Sequence, residues 1–319
     1  MGINSLFITG PAGTGKSELI RQIKTQLDEQ GKNYKCLAPT NLAALNINGS
    51  TIHKFVSKLR KMESMHKLDL DYIFVDEISM VKEIFYKFFL MLKRIKPDLK
   101  FIIAGDFNQL PPICDRIGEN FNYSKSMAIK ELCDYNKLEL STCRRSDDVL
   151  FNMCNGDNIM NINTQVFKTE FTERHLAFTN KKRMKINKIC MNNQNEIKLT
   201  LPANKHDPQS QEVKLAIKTP IISKVNDKSL DIVNNEQFII TSIKDDNVFI
   251  ENEDGNKILK IPIPKFQKLF YVAYCITVHK SQGQTFDFPY TIHEFNKFDK
   301  KLRYVSLTRS SDINNINIF

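Results

Sequence analysis

The stretch 10–17, which reads Gly-Pro-Ala-Gly-Thr-Gly-Lys-Ser, has the residue types and the spacing of a phosphate-binding loop. Its glycines let backbone N–H groups curl around phosphate oxygens, and the dipole of a following helix favours an anion at the same place. In such a loop the lysine reaches the β- and γ-phosphates, and the hydroxyl of the next residue ligates Mg²⁺. The residues predicted to bind a nucleoside triphosphate are Gly10, Ala12, Gly13, Thr14, Gly15, Lys16 and Ser17, with Ser17 also on the metal.

Two carboxylates, Asp76 and Glu77, follow an apolar run at 72–75. At the carboxyl end of a buried strand, Asp76 would face the phosphate loop and hold Mg²⁺ through water, while Glu77 would take a proton from an attacking water. The sequence therefore predicts a metal ligand at Asp76 and a catalytic base at Glu77. A solvated pair of surface acids is the alternative interpretation, because Asp-Glu is common after a strand.

A glutamine, Gln109, lies in the segment 105–112, directly after a further apolar run at 101–104. At that edge of a sheet its amide can touch the γ-phosphate and report hydrolysis to neighbouring elements. Gln109 is therefore a predicted catalytic residue. A loop stiffened by Pro111 and Pro112 is the alternative interpretation.

The elements that must position these residues alternate between strand and helix patterns. A helical pattern follows the phosphate loop and stops near Gly31, and another at 82–96 stops at Pro97. Runs that predict strands occupy 5–9, 34–38, 72–75 and 101–104, and the last two are typical of parallel strands buried on both faces. Residues 1–140 are therefore predicted to form a doubly wound α/β domain.

A second alternating region begins near Leu140 and is interrupted by β-rich sequence. Short β-rich runs occupy 237–241, 247–250 and 257–261, with a hairpin turn signal at 253–256. They predict a small antiparallel barrel inserted into a second α/β domain. The α/β pattern resumes at 270–274.

The composition limits the environment and the partners of the chain. Its 319 residues carry a net charge of +10 and a pI near 9.1, which favours a polyanionic partner, although each basic cluster could also be a solvated face. The seven cysteines lack metal-site spacing, so we expect reduced thiols in an intracellular, cytosol-like compartment. No apolar run approaches ~20 residues, and the first strand pattern begins close to Met1, so we expect neither a membrane span nor a targeting peptide.

Further motifs follow in order along nearly the whole chain, and together they resemble those of the superfamily 1 helicases, most closely the Pif/RecD-like branch. The segments similar to that family's motifs Ia, II, IV, V and VI are 38–55, 76–80, 140–146, 275–285 and 304–310. The resemblance implies an α/β fold of two RecA-like P-loop NTPase lobes with a small SH3-like β-barrel insert in the second lobe. The implied bounds are 1–140 for the first lobe, 141–200 and 269–319 for the second, and 201–268 for the insert.

The resemblance also implies roles for residues that composition and spacing do not reveal. Arg309 and one of Arg144 and Arg145 are expected to reach the γ-phosphate from the second lobe as arginine fingers. The offset from Leu140 favours Arg145, and a salt bridge to Asp147 or Asp148 is the alternative for either. Gly283 and Gln284 are expected to approach the nucleotide from the same lobe.

A single-strand path is implied by the same resemblance. The residues expected to line it are Thr40, His53, Thr277 and His279, with Thr179 and Asn180 on the nucleic-acid backbone. Each histidine could instead have a structural role. Phe55 is a candidate for stacking on a base, since an aromatic face accepts any base, and it could equally belong to the core.

The implied activity is that of an ATP-dependent helicase or translocase on single-stranded DNA, moving from 5′ to 3′ and unwinding duplex. ATP and Mg²⁺ are the implied cofactors, and the expected partners are single-stranded and forked DNA, with no membrane and a monomer in solution. A superfamily 1 RNA helicase is one alternative. A nucleotide-gated protein that clamps single strands without processive unwinding is another, because the interval from Phe55 to Asp71 is short where relatives place a strand-separating element.

Overall fold

The computed structural model describes residues 2–59, 61–112, 123–155, 159–252 and 255–319. The chain divides into two compact units, Met1–Asp157 and Asn158–Phe319. This division comes later than the predicted boundary at 140, because the segment after Leu140 packs on the first unit: Arg144 N donates to Gly13 O. The assignment of lobes and insert by residue range stays a prediction. Within the described residues no helix is both long and apolar enough to cross a membrane.

The first unit is built on a six-stranded sheet in which every pairing is parallel. Its strands are β1 (Leu6–Thr9), β2 (Tyr34–Ala38), β3 (Ser50–Thr51), β4 (Tyr72–Val75), β5 (Lys100–Gly105) and β6 (Lys137–Glu139). Their spatial order is β3-β2-β4-β5-β1-β6. The four predicted strands of this unit are confirmed: the bounds of β2 and β4 are as predicted, and those of β1 and β5 differ by one residue at one or both ends.

Successive residues of β4 face opposite sides of this sheet, and both sides are covered. Ile73 and Val75 pack into one hydrophobic cluster with Phe89, while Phe74 packs into a second one with Ile20. Because an apolar residue is needed at every position, the strand reads as a continuous apolar run.

The helices of the first unit cover the two faces of the sheet. They are α1 (Lys16–Glu29), α2 (Asn41–Asn46), α3 (Ile52–Lys58), α4 (Met62–His66), α5 (Glu83–Ile95), α6 (Met127–Leu132) and α7 (Asp148–Asn155). The helix predicted at 82–96 is α5, and the one predicted after the phosphate loop is α1. Short 3₁₀ turns lie in both units, at Ile78–Met80, Tyr123–Lys125, Ile159–Asn161, Thr164–Val166, Phe295–Lys297 and Ile313–Asn315.

The second unit contains a parallel sheet and an antiparallel one. Its strands are β7 (Arg174–Ala177), β8 (Leu199–Leu201), β9 (Val213–Leu215), β10 (Pro220–Ser223), β11 (Gln237–Lys244), β12 (Asn247–Asn252), β13 (Ile258–Pro262), β14 (Phe270–Val272), β15 (Cys275–Thr277), β16 (Tyr290–Ile292) and β17 (Ile316–Ile318). Its helices are α8 (Asn180–Asn192), α9 (Ile263–Leu269), α10 (Val278–Ser281) and α11 (Lys300–Leu307). The parallel sheet has the order β15-β7-β16-β17, and β8 pairs with β9.

The antiparallel sheet, with the order β13-β12-β11-β10-β14, corrects one sequence prediction. The run 270–274 was expected to resume the α/β pattern, but its first part is β14, which pairs antiparallel with β10 through Ile221 and Val272. The predicted insert at 201–268 therefore lacks one strand of the sheet to which it belongs. The hairpin turn expected at 253–256 lies partly outside the described residues. The description of this sheet as an SH3-like barrel stays a prediction.

A pair of histidines is buried in the parallel sheet of the second unit. His293 Nε2 lies 3.2 Å from His175 Nδ1. Burial lowers the pKa of His175 to about 3 and that of His293 to about 4. Since an unfolded histidine titrates near pH ~6.5, the unfolded chain binds more protons than the folded chain below that pH. The contribution of the neutral pair to stability is therefore lost as the pH falls from about 6.5 towards 4.

We accordingly expect the unfolding temperature of the second unit to fall between about pH 7 and about pH 5. Replacing His293 by Asn should reduce that fall, because one of the two groups that take up a proton on unfolding is gone. Differential scanning calorimetry of both proteins at the two pH values measures the difference. An equal fall in the variant would show that other groups cause it.

Candidate functional site

Three chain segments meet at one edge of the six-stranded sheet. Since β5 pairs with both β4 and β1, the residues that follow these three strands lie side by side. The approach is close: a Cβ at Gly105 would lie 2.8 Å from Ile78 Cγ2 and 2.9 Å from Ile78 N. A residue with a side chain would push the turn after β4 away, so glycine at 105 brings the predicted carboxylates next to the phosphate loop.

The phosphate loop has the local geometry expected from its sequence. It leaves β1 at Thr9 and enters α1 at Lys16, and Gly15 has φ 92°, in the left-handed region that favours glycine. The Thr14 hydroxyl donates to Pro11 O at 2.9 Å and stabilises the turn. The predicted context of strand, glycine loop and helix is confirmed.

Lys16 and three carboxylates share this edge. Lys16 Nζ donates to Gly10 O at 2.7 Å and to Pro11 O at 2.8 Å. Burial lowers the pKa of the ammonium, and the negative charges of Asp106, Glu77 and Asp76 act in the opposite direction. Lys16 and the acids named from sequence are therefore close enough to interact electrostatically.

Asp76 and Glu77 have different environments at the end of β4. Asp76 is buried, and its Oδ1 accepts a hydrogen bond from Glu77 N at 2.8 Å. Burial raises the pKa of the Asp76 carboxyl, while that hydrogen bond and the charge of Lys16 lower it. Glu77 has φ 52°, a conformation that is uncommon for a residue other than glycine. Residues in such uncommon backbone conformations cluster at functional sites. Asp76 and Glu77 are therefore not the freely solvated pair of surface acids that the alternative interpretation describes.

The third carboxylate, Asp106, was not assigned a role from the sequence. It follows β5 as Asp76 follows β4, its side chain is buried, and Asn108 N donates to its Oδ1 at 2.9 Å. Gln109 is buried in the same turn, and its N donates to Asp106 O. The signal that could have identified Asp106 is its place at the end of a buried strand next to Gln109.

Arg144 and Arg145 lie beside the phosphate loop within the first unit. Arg144 N donates to Gly13 O at 2.9 Å, and a Cβ at Gly13 would lie 3.1 Å from Arg145 Cβ. The positive charge of Arg145 also lowers the pKa of Lys16. Both side chains are exposed. The expectation that these arginines come from the second lobe is corrected, because their segment follows β6 and is held by the loop itself.

Arg309 is buried in the second unit, where its guanidinium joins two motifs. Nε donates to Val305 O at 2.8 Å, and Nη1 donates to Gln284 O at 2.8 Å and Ser281 O at 3.3 Å. Gln284 also accepts a hydrogen bond from Gln237 through its side chain, and Gly283 is exposed with φ 83°. The residues predicted to approach the nucleotide from this unit are thus linked to one another.

The predicted strand contacts of the first unit have three different environments. Thr40 is the N-cap of α2, and its hydroxyl accepts from Ala43 N at 3.1 Å. His53 is exposed, with its ring 4.6 Å from that of Phe85. Phe55 is buried in the core, which supports its structural interpretation over stacking on a base. Thr40 and His53 remain predicted contacts.

The predicted strand contacts of the second unit lie at the starts of two helices. Thr179 is the N-cap of α8, and the Asn180 side chain accepts a hydrogen bond from Arg183 Nε at 3.0 Å. Thr277 precedes α10 and is buried, while His279 on α10 is exposed. The sequence did not assign Arg183 a role.

Sequence comparisons find relatives that align with most of this chain. Residues 3–115 match the family described as AAA domain. The ATP-dependent DNA helicase Pif1 of Campylobacter jejuni is 25% identical over an alignment that covers 100% of this chain and 89% of that protein. The Pif1 helicase of Bdellovibrio bacteriovorus is 24% identical, with 89% and 77% covered.

Solved structures agree with the fold. The crystal structure of Pif1 helicase from Candida albicans has a TM-score of 0.73 at 20% identity and covers 99% of this chain and 90% of that one. Bacteroides Pif1 in complex with ADP-AlF3 and ssDNA has a TM-score of 0.71 at 22% identity, with 99% and 88% covered. The chain is thus similar in sequence and in fold to Pif1 helicases.

The donor set at the phosphate loop fits Mg²⁺. Ser17 in the first turn of α1 supplies a hydroxyl, and Asp76 and Asp106 supply carboxylate oxygens near Lys16. Within the described residues no group of three or more His, Cys, Asp or Glu could hold a metal by itself. Mg²⁺ in nucleotide sites takes one or two carboxylates, phosphate oxygens and water, so the residues present are sufficient in kind.

Proposed function

We propose that this protein is an ATP-dependent DNA helicase that moves along single-stranded DNA and unwinds duplex. The observation that carries the proposal is the convergence of Lys16, Asp76 and Glu77 at the phosphate loop, with Asp106 beside them. The Pif1 helicases of Campylobacter jejuni and Bdellovibrio bacteriovorus, both named ATP-dependent DNA helicases, support the same activity.

Each group at the loop then has a part in hydrolysis. Lys16 exchanges its bonds to Gly10 O and Pro11 O for phosphate oxygens, and Glu77 accepts the proton of the attacking water. Ser17 and Asp76 would hold Mg²⁺, which supplies charge neutralisation at the phosphates when bound. Arg145, whose Nε would lie 3.5 Å from a Cβ at Gly13, is the arginine finger that we propose beside the loop.

The track of the motor is single-stranded DNA, with movement from 5′ to 3′ implied by the family. Thr40, His53, Thr277 and His279 are the proposed contacts, and the net charge of +10 suits a polyanion. The protein acts as a monomer in a reducing compartment. A solved relative is described as two coordinating Pif1 helicases at forked dsDNA, which makes the number of molecules per fork part of the test.

We expect single-stranded DNA to stimulate ATP hydrolysis and the protein to separate a forked DNA duplex in an ATP-dependent reaction. The Lys16→Ala variant is the negative control, because it removes the phosphate contact. The measurement is the ATPase rate with and without single-stranded DNA, beside unwinding of forked DNA and RNA duplexes at increasing protein concentration.

The outcomes separate the alternatives. Preference for an RNA duplex would favour an RNA helicase. Stimulated hydrolysis without strand separation would favour a nucleotide-gated clamp. An ATPase rate that does not respond to any nucleic acid would contradict a motor of either kind.

A further inference from the structure

Three cationic side chains of the second unit surround one tyrosine ring. The Arg183 guanidinium lies 5.0 Å from the centroid of Tyr271, Lys224 Nζ lies at 4.5 Å and Lys280 Nζ at 4.9 Å. They come from α8, from the residue after β10 and from α10, while Tyr271 is on β14. We call these four residues the Tyr271 cluster. The negative face of an aromatic ring attracts cations, so it can gather charges that repel each other.

One carboxylate faces these three cations. Asp207 Oδ2 accepts from the Tyr271 hydroxyl at 2.7 Å and pairs with Lys224 Nζ at 2.5 Å. The cluster therefore carries more positive than negative charge. Burial, together with the charges of Arg183 and Lys224, lowers the pKa of Lys280 to about 8. Burying positive charge that is only partly neutralised costs free energy, and a bound anion would lower that cost by neutralising the rest.

The members of the cluster differ in how firmly the fold already holds them. Arg183 donates to Asn180 Oδ1 at 3.0 Å and to Gln209 O at 2.8 Å, so two of its five N–H donors are held by the fold. Lys280 is half-buried, and within the described part of the chain no acceptor lies in hydrogen-bond reach of its Nζ. The N–H donors of the Lys280 ammonium are thus available to a ligand.

The cluster also lies next to two predicted strand contacts. Lys280 directly follows His279 on α10, and Arg183 is bonded to Asn180. We propose that the Tyr271 cluster binds a backbone phosphate of the single strand, through Lys280 and Lys224, independently of base sequence. This inference rests on the proposed function, since it adds a phosphate contact to the proposed track.

Lys280→Gln and Lys224→Gln should each weaken binding of a fluorescently labelled oligothymidine strand several-fold. Each should also reduce the slope of log affinity against log salt concentration by about 0.7, the value for one lost phosphate contact on a single strand. Lys188→Gln is the matched control, because Lys188 is exposed on α8 and loses the same charge. Fluorescence anisotropy at several salt concentrations measures both quantities.

Asp207→Asn tests the cluster in the opposite direction. It removes the competing charge and keeps an acceptor for the Tyr271 hydroxyl, so affinity for the strand should rise and the salt slope should steepen. A gain in affinity cannot result from misfolding, which protects the test against variants that are merely unstable. Unchanged or weaker binding by Asp207→Asn would overturn the inference.

Strand binding by the wild-type protein distinguishes a failure of the proposed function from a failure of the cluster inference. If the wild-type protein binds no single strand, the proposed function fails; if it binds and the cluster variants behave as Lys188→Gln does, only the cluster inference fails. Inorganic phosphate at constant ionic strength should not displace the strand. Displacement from the wild type but not from Lys280→Gln would assign the cluster to free phosphate and overturn the assignment to a backbone.

Discussion

Replacing Arg309 by Ala lowers the kcat of ATP hydrolysis by about 10³ and changes nucleotide affinity far less, if Arg309 acts as an arginine finger. The physical reason is that its charge is needed mainly when negative charge develops in the transition state. Steady-state hydrolysis in saturating single-stranded DNA gives kcat, and titration with a fluorescent ADP analogue gives affinity.

The structure adds a second expected effect of the same substitution. Arg309 donates to Val305 O, Ser281 O and Gln284 O, and a buried carbonyl that loses its donor costs about 1–3 kcal/mol. The unfolding temperature should therefore fall as well, so kcat must be measured well below it. Arg309→Lys keeps the positive charge but lacks the planar set of N–H donors of a guanidinium. An intact kcat with a lowered unfolding temperature would make Arg309 a structural link between α11 and the segment after α10.

Glu77→Gln is expected to reduce hydrolysis by about 10²–10⁴ while ATP and single-strand binding persist. The change removes the proton acceptor and keeps the shape of the side chain. The bond from Glu77 N to Asp76 Oδ1 comes from the backbone and survives. Single-turnover hydrolysis, with anisotropy for strand binding, measures the two properties separately.

Glu18→Gln is the matched control for this prediction. Glu18 lies on α1 close to the phosphate loop, and its carboxylate is exposed and paired with Arg21. An exposed ion pair of this kind contributes little to stability, so the control loses the same charge near the site without a role in the reaction. Turnover of Glu77→Gln within a factor of a few of wild type would rule out the assigned base.

Several long-range features could not be read from local patterns. The run 270–274 has the apolar character of a buried strand in either sheet, and only its pairing with β10 assigns its first residues to the antiparallel one. The sequence shows Phe55 as an aromatic residue in a helical segment, which fits base stacking and core packing equally. Only its packing against the sheet places it in the core. Asp106 became a candidate when the strand order brought it to Lys16.

What the sequence by itself determined is the set of short-range features. The glycine pattern of 10–17, the apolar run at 72–75 and the helix of 83–95 each depend on the conformational preferences and periodicity of neighbouring residues. What only the tertiary structure decided is which of these features meet. The order β4-β5-β1 aligns three strand ends, and the packing of the segment after β6 places Arg145 beside Gly13. Such contacts join residues far apart in the chain, and local preference carries no information about them.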